Sequence, residues 1–244
     1  MKASICLSTY NKASALAKTL ESVVSQTPPF EAEVIVVDDG STDNTKDVCR
    51  DYPVEYHYLD RPGYCNPAPA RNVAYRAARG EVVICQSDDV VHTASDTIER
   101  LVDDLRVGRF LIATVINVDG DGNPFADTQG KGYGDALTVY TSPVRQRPLF
   151  FLGSVYRQDL YAVGGNDEDF VGPGYDDDWF AACLINGRGL WADYSSNIVG
   201  HHQHHPHTQD YDAVEKSRRL FDRKVVTEYW CSSGGPWDYD KEKT

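Results

Sequence analysis

The chain has 244 residues, 41% hydrophobic and 25% charged, enough for one large buried core or two small ones. Its 37 acidic against 24 basic residues give a formal net charge of -13, which argues against a protein that grips nucleic acid through its phosphates. No run approaches the roughly 18 apolar residues of a membrane span, and the apolar stretch at the amino terminus is too short for a signal peptide. Six scattered cysteines without paired spacing then point to a cytoplasmic protein with reduced thiols.

In chain order, residues 3–8 predict a first buried strand, closed by Thr9, Tyr10 and Asn11. Leu16, Leu20, Val23 and Val24 have helical spacing, and Pro28-Pro29 ends that helix. A second buried strand over 33–37 runs into Asp38-Asp39-Gly40-Ser41-Thr42-Asp43, after which Thr45, Val48 and Cys49 continue as a helix. A short strand over 54–58, a turn-rich loop over 61–69 and a helix over 70–78 follow. Residues 82–85, Val-Val-Ile-Cys, predict a strand buried on both faces. Strand alternating with helix is the rhythm of a mostly parallel sheet covered on both sides, and ligands of such sheets lie beyond the carboxyl ends of the strands.

That central strand ends in Gln86-Ser87-Asp88-Asp89. Two adjacent carboxylates at a buried strand end repel each other, and no cation lies near them in sequence. A hard divalent ion held by oxygen ligands resolves the repulsion, and such ions usually arrive with a phosphate. A plain polar turn is the competing reading. The clusters at residues 9–11, 38–41 and 86–89 each follow a predicted strand, so they are expected to meet along one sheet edge.

Farther on, a helix is expected over 97–106, a strand over 111–118, and loops or a hairpin over the glycine-rich 119–135. Another strand is expected over 149–156, then Gly164-Gly165-Asn166-Asp167, then Gly174-Tyr175-Asp176-Asp177-Asp178 leading a helix to about residue 186. Acidic residues favour a helix amino terminus, but three exceed what capping needs.

Taken together, these residues resemble a family 2 glycosyltransferase with the GT-A fold over residues 1–205. The match lies in Ser8-Thr9-Tyr10-Asn11, Val36-Val37-Asp38-Asp39-Gly40-Ser41, Ala70-Arg71-Asn72, Gln86-Ser87-Asp88-Asp89 and Asp176-Asp177-Asp178. The resemblance implies a Rossmann-like α/β domain, with a nucleotide-binding half at 1–90, an acceptor half at 91–205 and a C-terminal extension at 206–244. It also implies a nucleotide-sugar donor held by Thr9, Tyr10, Asn11, Asp39, Arg71, Gln86 and Ser87, with UDP favoured because a carboxylate at Asp39 can accept the uracil N–H. Mn2+ or Mg2+ would sit on Asp88, supported by Asp89, and Asp176 or Asp177 would be the general base of an inverting transfer to an acceptor hydroxyl. Two positions depart from the pattern: Gln86 replaces the first Asp of the metal motif, and the Glu before the base is absent.

Residues 199–207 carry five of the seven histidines. By resemblance His201 is expected as a third metal ligand, with His202 next, while His205 and His207 read as parts of a polar loop. A helix over 211–229 with a basic face and an aromatic tail close the chain. A non-catalytic nucleotide-sugar binder and a retaining or GDP-sugar-dependent transferase remain as alternatives. The acceptor class is open, a modified nucleic acid included.

Overall fold

The computed structural model describes residues 1–61, 66–126, 138–205 and 210–239. Cys65, His207 and most of the expected 119–135 hairpin lie partly or wholly outside them. The strands are β1 (Ala3–Thr9), β2 (Ala32–Asp38), β3 (Glu55–Tyr58), β4 (Val82–Ser87), β5 (Val90–His92), β6 (Arg109–Val118), β7 (Val139–Thr141), β8 (Leu152–Tyr156) and β9 (Trp191–Gln203). The helices are α1 (Ala13–Val24), α2 (Thr45–Arg50), α3 (Ala68–Ala77), α4 (Thr97–Asp103), α5 (Arg157–Ala162), α6 (Asp176–Ala182) and α7 (Tyr211–Thr227). A π-helical turn at Cys183–Gly187 prolongs α6.

One mostly parallel sheet runs β3-β2-β1-β4-β8-β6-β9-β5, with β7 attached to β6. β3, β2, β1 and β4 are parallel neighbours, whereas β8 enters antiparallel between β4 and β6. Alternation along the buried strands splits the core in two. Ile5, Leu7, Val36, Val82 and Ile84 pack under α1 and α4, while Cys6, Ile35, Val37, Val83 and Cys85 pack under α3, α5 and α6. The first four strands and α1 to α3 fall where hydrophobic patterning puts them. Among the described residues all five cysteines are free and buried, and no helix is long and apolar enough to cross a membrane.

Three elements escape the pattern. β5 is three residues long, and α5 follows directly on β8. β9 is mostly polar, yet it pairs along nearly the whole of β6. Its register slips between Ala113 and Thr114, where Ser195 is followed by Val199 as the next partner, so three residues loop out. His201 and His202 therefore lie on a strand of the sheet, while His204 and His205 follow its end outside the strand. The C-terminal segment also docks firmly: Leu220, Phe221, Val225 and Trp237 pack on the α3/α6 core, and Trp237 N–H donates to the Tyr161 carbonyl at 2.8 Å. Three basic residues of α7 are paired: Arg218 with Glu215 and Asp222, Arg219 with Glu215, and Lys224 with Asp167 and Asp169.

Candidate functional site

The three polar clusters do meet at the carboxyl edge of the parallel strands. β1 and β2 are in register from Ala3–Ala32 to Thr9–Asp38, so the two strand ends finish side by side. Asp39 N–H donates to the Thr9 carbonyl at 2.8 Å. Asn11, at φ 50°, accepts from Thr42 N–H at 2.7 Å, and its own N–H donates to Ser41 Oγ at 2.9 Å. These bonds tie the loop after β1 to the loop after β2, and Tyr10 is half-buried within it. Gly40 has φ +88°, and a Cβ there would strike the Arg61 carbonyl, so only glycine suits this turn.

Asp38 and Asp39 divide the work. Asp38 is structural: its Oδ1 accepts from Ser41 N–H and its Oδ2 from Tyr56 O–H, each at 2.8 Å. Asp39 faces Arg61, whose Nη1 lies 3.0 Å from Oδ1 and 3.3 Å from Oδ2. Burial raises the Asp39 carboxyl, and the Arg61 charge opposes the shift.

The cation missing near Asp88 and Asp89 in sequence arrives from the loop before α1. Lys12 Nζ is 2.6 Å from Asp89 Oδ2 and 3.3 Å from Asp88 Oδ1. Two imidazoles converge on the same Asp89 Oδ2, His205 Nε2 at 3.0 Å and His202 Nε2 at 3.5 Å. Asn117, fully buried on β6, faces His202 Nδ1 at 3.0 Å and so turns Nε2 toward Asp89. Burial pushes both carboxyls up, yet the Lys12 and His202 charges hold Asp89 well below the usual range. Asp88 is raised, by burial first and by the charge of Asp89 as well.

Asp89, His202 and His205 form a donor set with all three ligand atoms within 4.8 Å of one another. Asp89 Oδ1 is buried with no hydrogen-bond partner among the described residues, so the cluster has an unused oxygen as well as an excess of negative charge. One carboxylate with two imidazoles is a donor set for a divalent first-row transition ion. These residues fit a divalent metal.

The expected metal pair is Asp88 with His201, whereas the donor atoms that converge belong to their chain neighbours Asp89 and His202, together with His205. Successive side chains of a strand point to opposite faces. His202 is buried on the Asp89 side, whereas His201 is half-buried and outside the cluster. Gln86 is also placed differently from the nucleotide contact expected of it. On β4 it shares the α1/α4 face with Ile84, and its amide is engaged there: Nε2 donates to the Val90 carbonyl at 2.7 Å and Oε1 lies 2.8 Å from His92 Nε2. Gln26 Nε2, 2.6 Å from His92 Nδ1, completes this buried chain, and burial lowers His92 to about 4. Ser87 ends β4 half-buried, its N–H donating to the Phe151 carbonyl.

The third group lies at the start of α6. Tyr175 takes a left-handed conformation, φ 66°, and turns the chain so that Asp176, Asp177 and Asp178 open the helix. Arg71 on α3 holds Asp177 at 2.7 Å and Asp176 at 3.5 Å. Asp177 also accepts from Phe150 N–H, and Asp178 pairs with Arg147. Asp176 is thus the least committed of the three. Burial first, then repulsion from Asp177, pushes it up to about 6, against the pull of Arg71. Such a carboxylate accepts a proton near neutral pH.

The sequence reading missed Lys12, Arg61, Asn117 and His205. Only Lys12 left a signal, a lysine just beyond the first strand end; the others depend on which strands become neighbours.

The fold and its acidic strand edge place the chain in a class: its structural neighbours are glycosyltransferases of the GT-A fold. The fold of Staphylococcus aureus TarS 1–349, solved in complex with UDP, is similar at a TM-score of 0.65 and 19% identity, covering 99% of this chain and 68% of that one. The mannosyltransferase PcManGT of Pyrobaculum calidifontis, solved with GDP-Man and Mn2+, gives 0.62 at 22% identity, covering 93% and 64%. The model of glycosyl transferase family 2 matches residues 4–163, and the chain belongs to that family. A poly(ribitol-phosphate) beta-glucosyltransferase of Bacillus spizizenii is 36% identical over 97 residues, which are 37% of this chain but only 15% of that protein.

Proposed function

We propose that the protein transfers a sugar from a nucleotide diphosphate donor, with UDP favoured, to an acceptor hydroxyl, with inversion and with a divalent metal. The observation that carries this reading is the Asp89–His202–His205 set, with Asp89 and His202 buried and His205 half-buried, where the ends of β4 and β9 meet on the edge that also presents Asp39. A metal held there would offset charge on a leaving diphosphate. Lys12 supplies part of that charge at the same point, and its long stem lets the ammonium follow a phosphate.

In this reading the Asp39 carboxylate accepts the N–H of a uracil edge while Arg61 keeps it oriented. Thr9, Tyr10 and Asn11 form the wall beside it. Asp176 takes the proton of the acceptor hydroxyl as that oxygen attacks the anomeric carbon; the bond from carbon to the phosphate oxygen breaks on the opposite face. Arg71 positions Asp176 and Asp177, a role added to the donor contact the resemblance implied for it. The likeness to TarS, solved with UDP, and to PcManGT, solved with GDP-Man and Mn2+, supports the donor class.

Calorimetric titration with UDP and with GDP, each with manganese and with chelator, tests it. UDP is expected to bind at least about tenfold tighter than GDP, and only with manganese. Preference for GDP overturns the donor assignment. Equal affinity in chelator overturns the metal.

A further inference from the structure

A cleft of about 200 Å³ lies away from the strand edge, between α3, the Gly164–Asn166 turn and the C-terminal segment. Its polar lining includes Asn72, Asn166 and Glu168, with Arg76 and Trp237 at its rim and wall. The cleft is held open by built contacts. Asn72 Nδ2 donates to the Asn166 carbonyl and to Glu168 Oε1, both at 2.8 Å, and Asn72 Oδ1 accepts from Asn166 N–H at 2.8 Å. Gly165, φ +66°, passes so close to Asn72 and Trp237 that a Cβ would strike both. Arg76 lies 4.3 Å from the Trp237 ring centroid.

Asn166 is one of the residues that line this cleft. The Asn166 side chain is 1% exposed, yet neither its Nδ2 nor its Oδ1 has a hydrogen-bond partner among the described residues. A buried amide with both ends unmet costs a fold stability, and natural proteins rarely keep one without a use. What is missing is an acceptor for Nδ2 and a donor for Oδ1, and hydroxyl groups supply both. Arg76 and Glu168 cancel in charge, so the lining suits a neutral ligand. The volume is below the roughly 300 Å³ at which drug-sized sites begin, too small for a nucleotide. An indole wall beside hydrogen-bonding groups suits a ring that is apolar on its faces and hydroxylated at its edge.

We infer that this cleft is a second carbohydrate subsite, which takes one pyranose unit through its hydroxyls. The site stands on the geometry of the cleft, and the choice of a sugar over another polyol rests also on the transfer reading. Asn72 follows Arg71 on α3, about 100° around the helix, so the subsite and the Asp176 centre face different sides of α3. The subsite holds a sugar of the acceptor that is not the one being modified.

The test is 15N NMR of the full chain titrated with methyl β-D-glucopyranoside and with N-acetylglucosamine, and with inorganic phosphate as the anion control. The Asn166 side-chain amide and the Trp237 indole N–H are expected to shift saturably with at least one glycoside and to ignore phosphate. Glu168→Ala, at an exposed position, is expected to weaken that binding about tenfold; Trp237→Phe is a second variant that keeps a ring against Gly165. Unmoved signals with both glycosides overturn the subsite, as do shifts with phosphate only or binding that both variants leave unchanged. UDP with manganese added to the same sample reports on the strand edge separately, so failure of the cleft and failure of the donor site are distinguishable.

Discussion

Replacing Asp176 with Asn is expected to lower turnover by about 10²–10⁴-fold while leaving UDP affinity within a few-fold of the parent. The carboxylate is buried, raised to about 6, and the least tied of the three acids at the start of α6. As a base it must be ionised, so the turnover of the parent is expected to rise with pH through about 6 and then level off; the Asn variant loses that limb. Stability moves the other way. The folded pKa of Asp176 lies above its ordinary 3.8, so the folded protein holds this proton more tightly than the unfolded chain. Its contribution to stability is fully present below about 4 and is lost as pH rises through about 6. Asn keeps the shape without the buried charge, so the variant is expected to be more stable than the parent at pH 7, by about 1–3 kcal/mol in chemical denaturation. A variant less stable and equally active would assign Asp176 to the fold. Loss of UDP affinity equal to the loss of turnover would assign it to donor binding.

The second large effect belongs to Asp89. Asp89→Asn preserves the side chain's volume but removes the charge on which Lys12, His202 and His205 converge. Manganese is expected to contribute nothing to UDP affinity in this variant, so titrations with metal and with chelator coincide. Asp88→Asn, at the more distant of the two contacts to Lys12, is expected to keep a clear manganese effect. The reverse pattern would restore Asp88 as the principal ligand.

These two sites show how much the sequence disclosed. Val82 to Cys85 read as a buried strand because both faces are apolar, and the carboxylates at its end pointed to the strand edge at which the polar clusters meet. The same logic singled out Asp39 and the Asp176 group as candidates. What patterning could not supply was partnership across the sheet. β9 carries Asp193, Tyr194, Ser195, Ser196 and Asn197, a composition that does not look like a central strand; its place comes from pairing with β6, about 80 residues earlier in the chain. Whether His201 or His202 faces the acids turns on strand parity, and parity follows from a register that slips at Ser195. Gln86 invited a functional reading because it replaces an expected Asp. It instead bonds His92 on the α1/α4 face, a contact set by a five-residue reversal at the end of β4 and by α1. Local chemistry was legible; which face a polar residue takes was not.

Strand parity also yields the most direct measurement. Manganese affinity, read from the EPR signal of free Mn2+, can be compared for His201→Gln, His202→Gln and His205→Gln. His202→Gln and His205→Gln are each expected to weaken binding by at least about tenfold, and His201→Gln to stay within about twofold of the parent. Loss confined to His201→Gln, with the other two binding as the parent does, would contradict the metal site at Asp89.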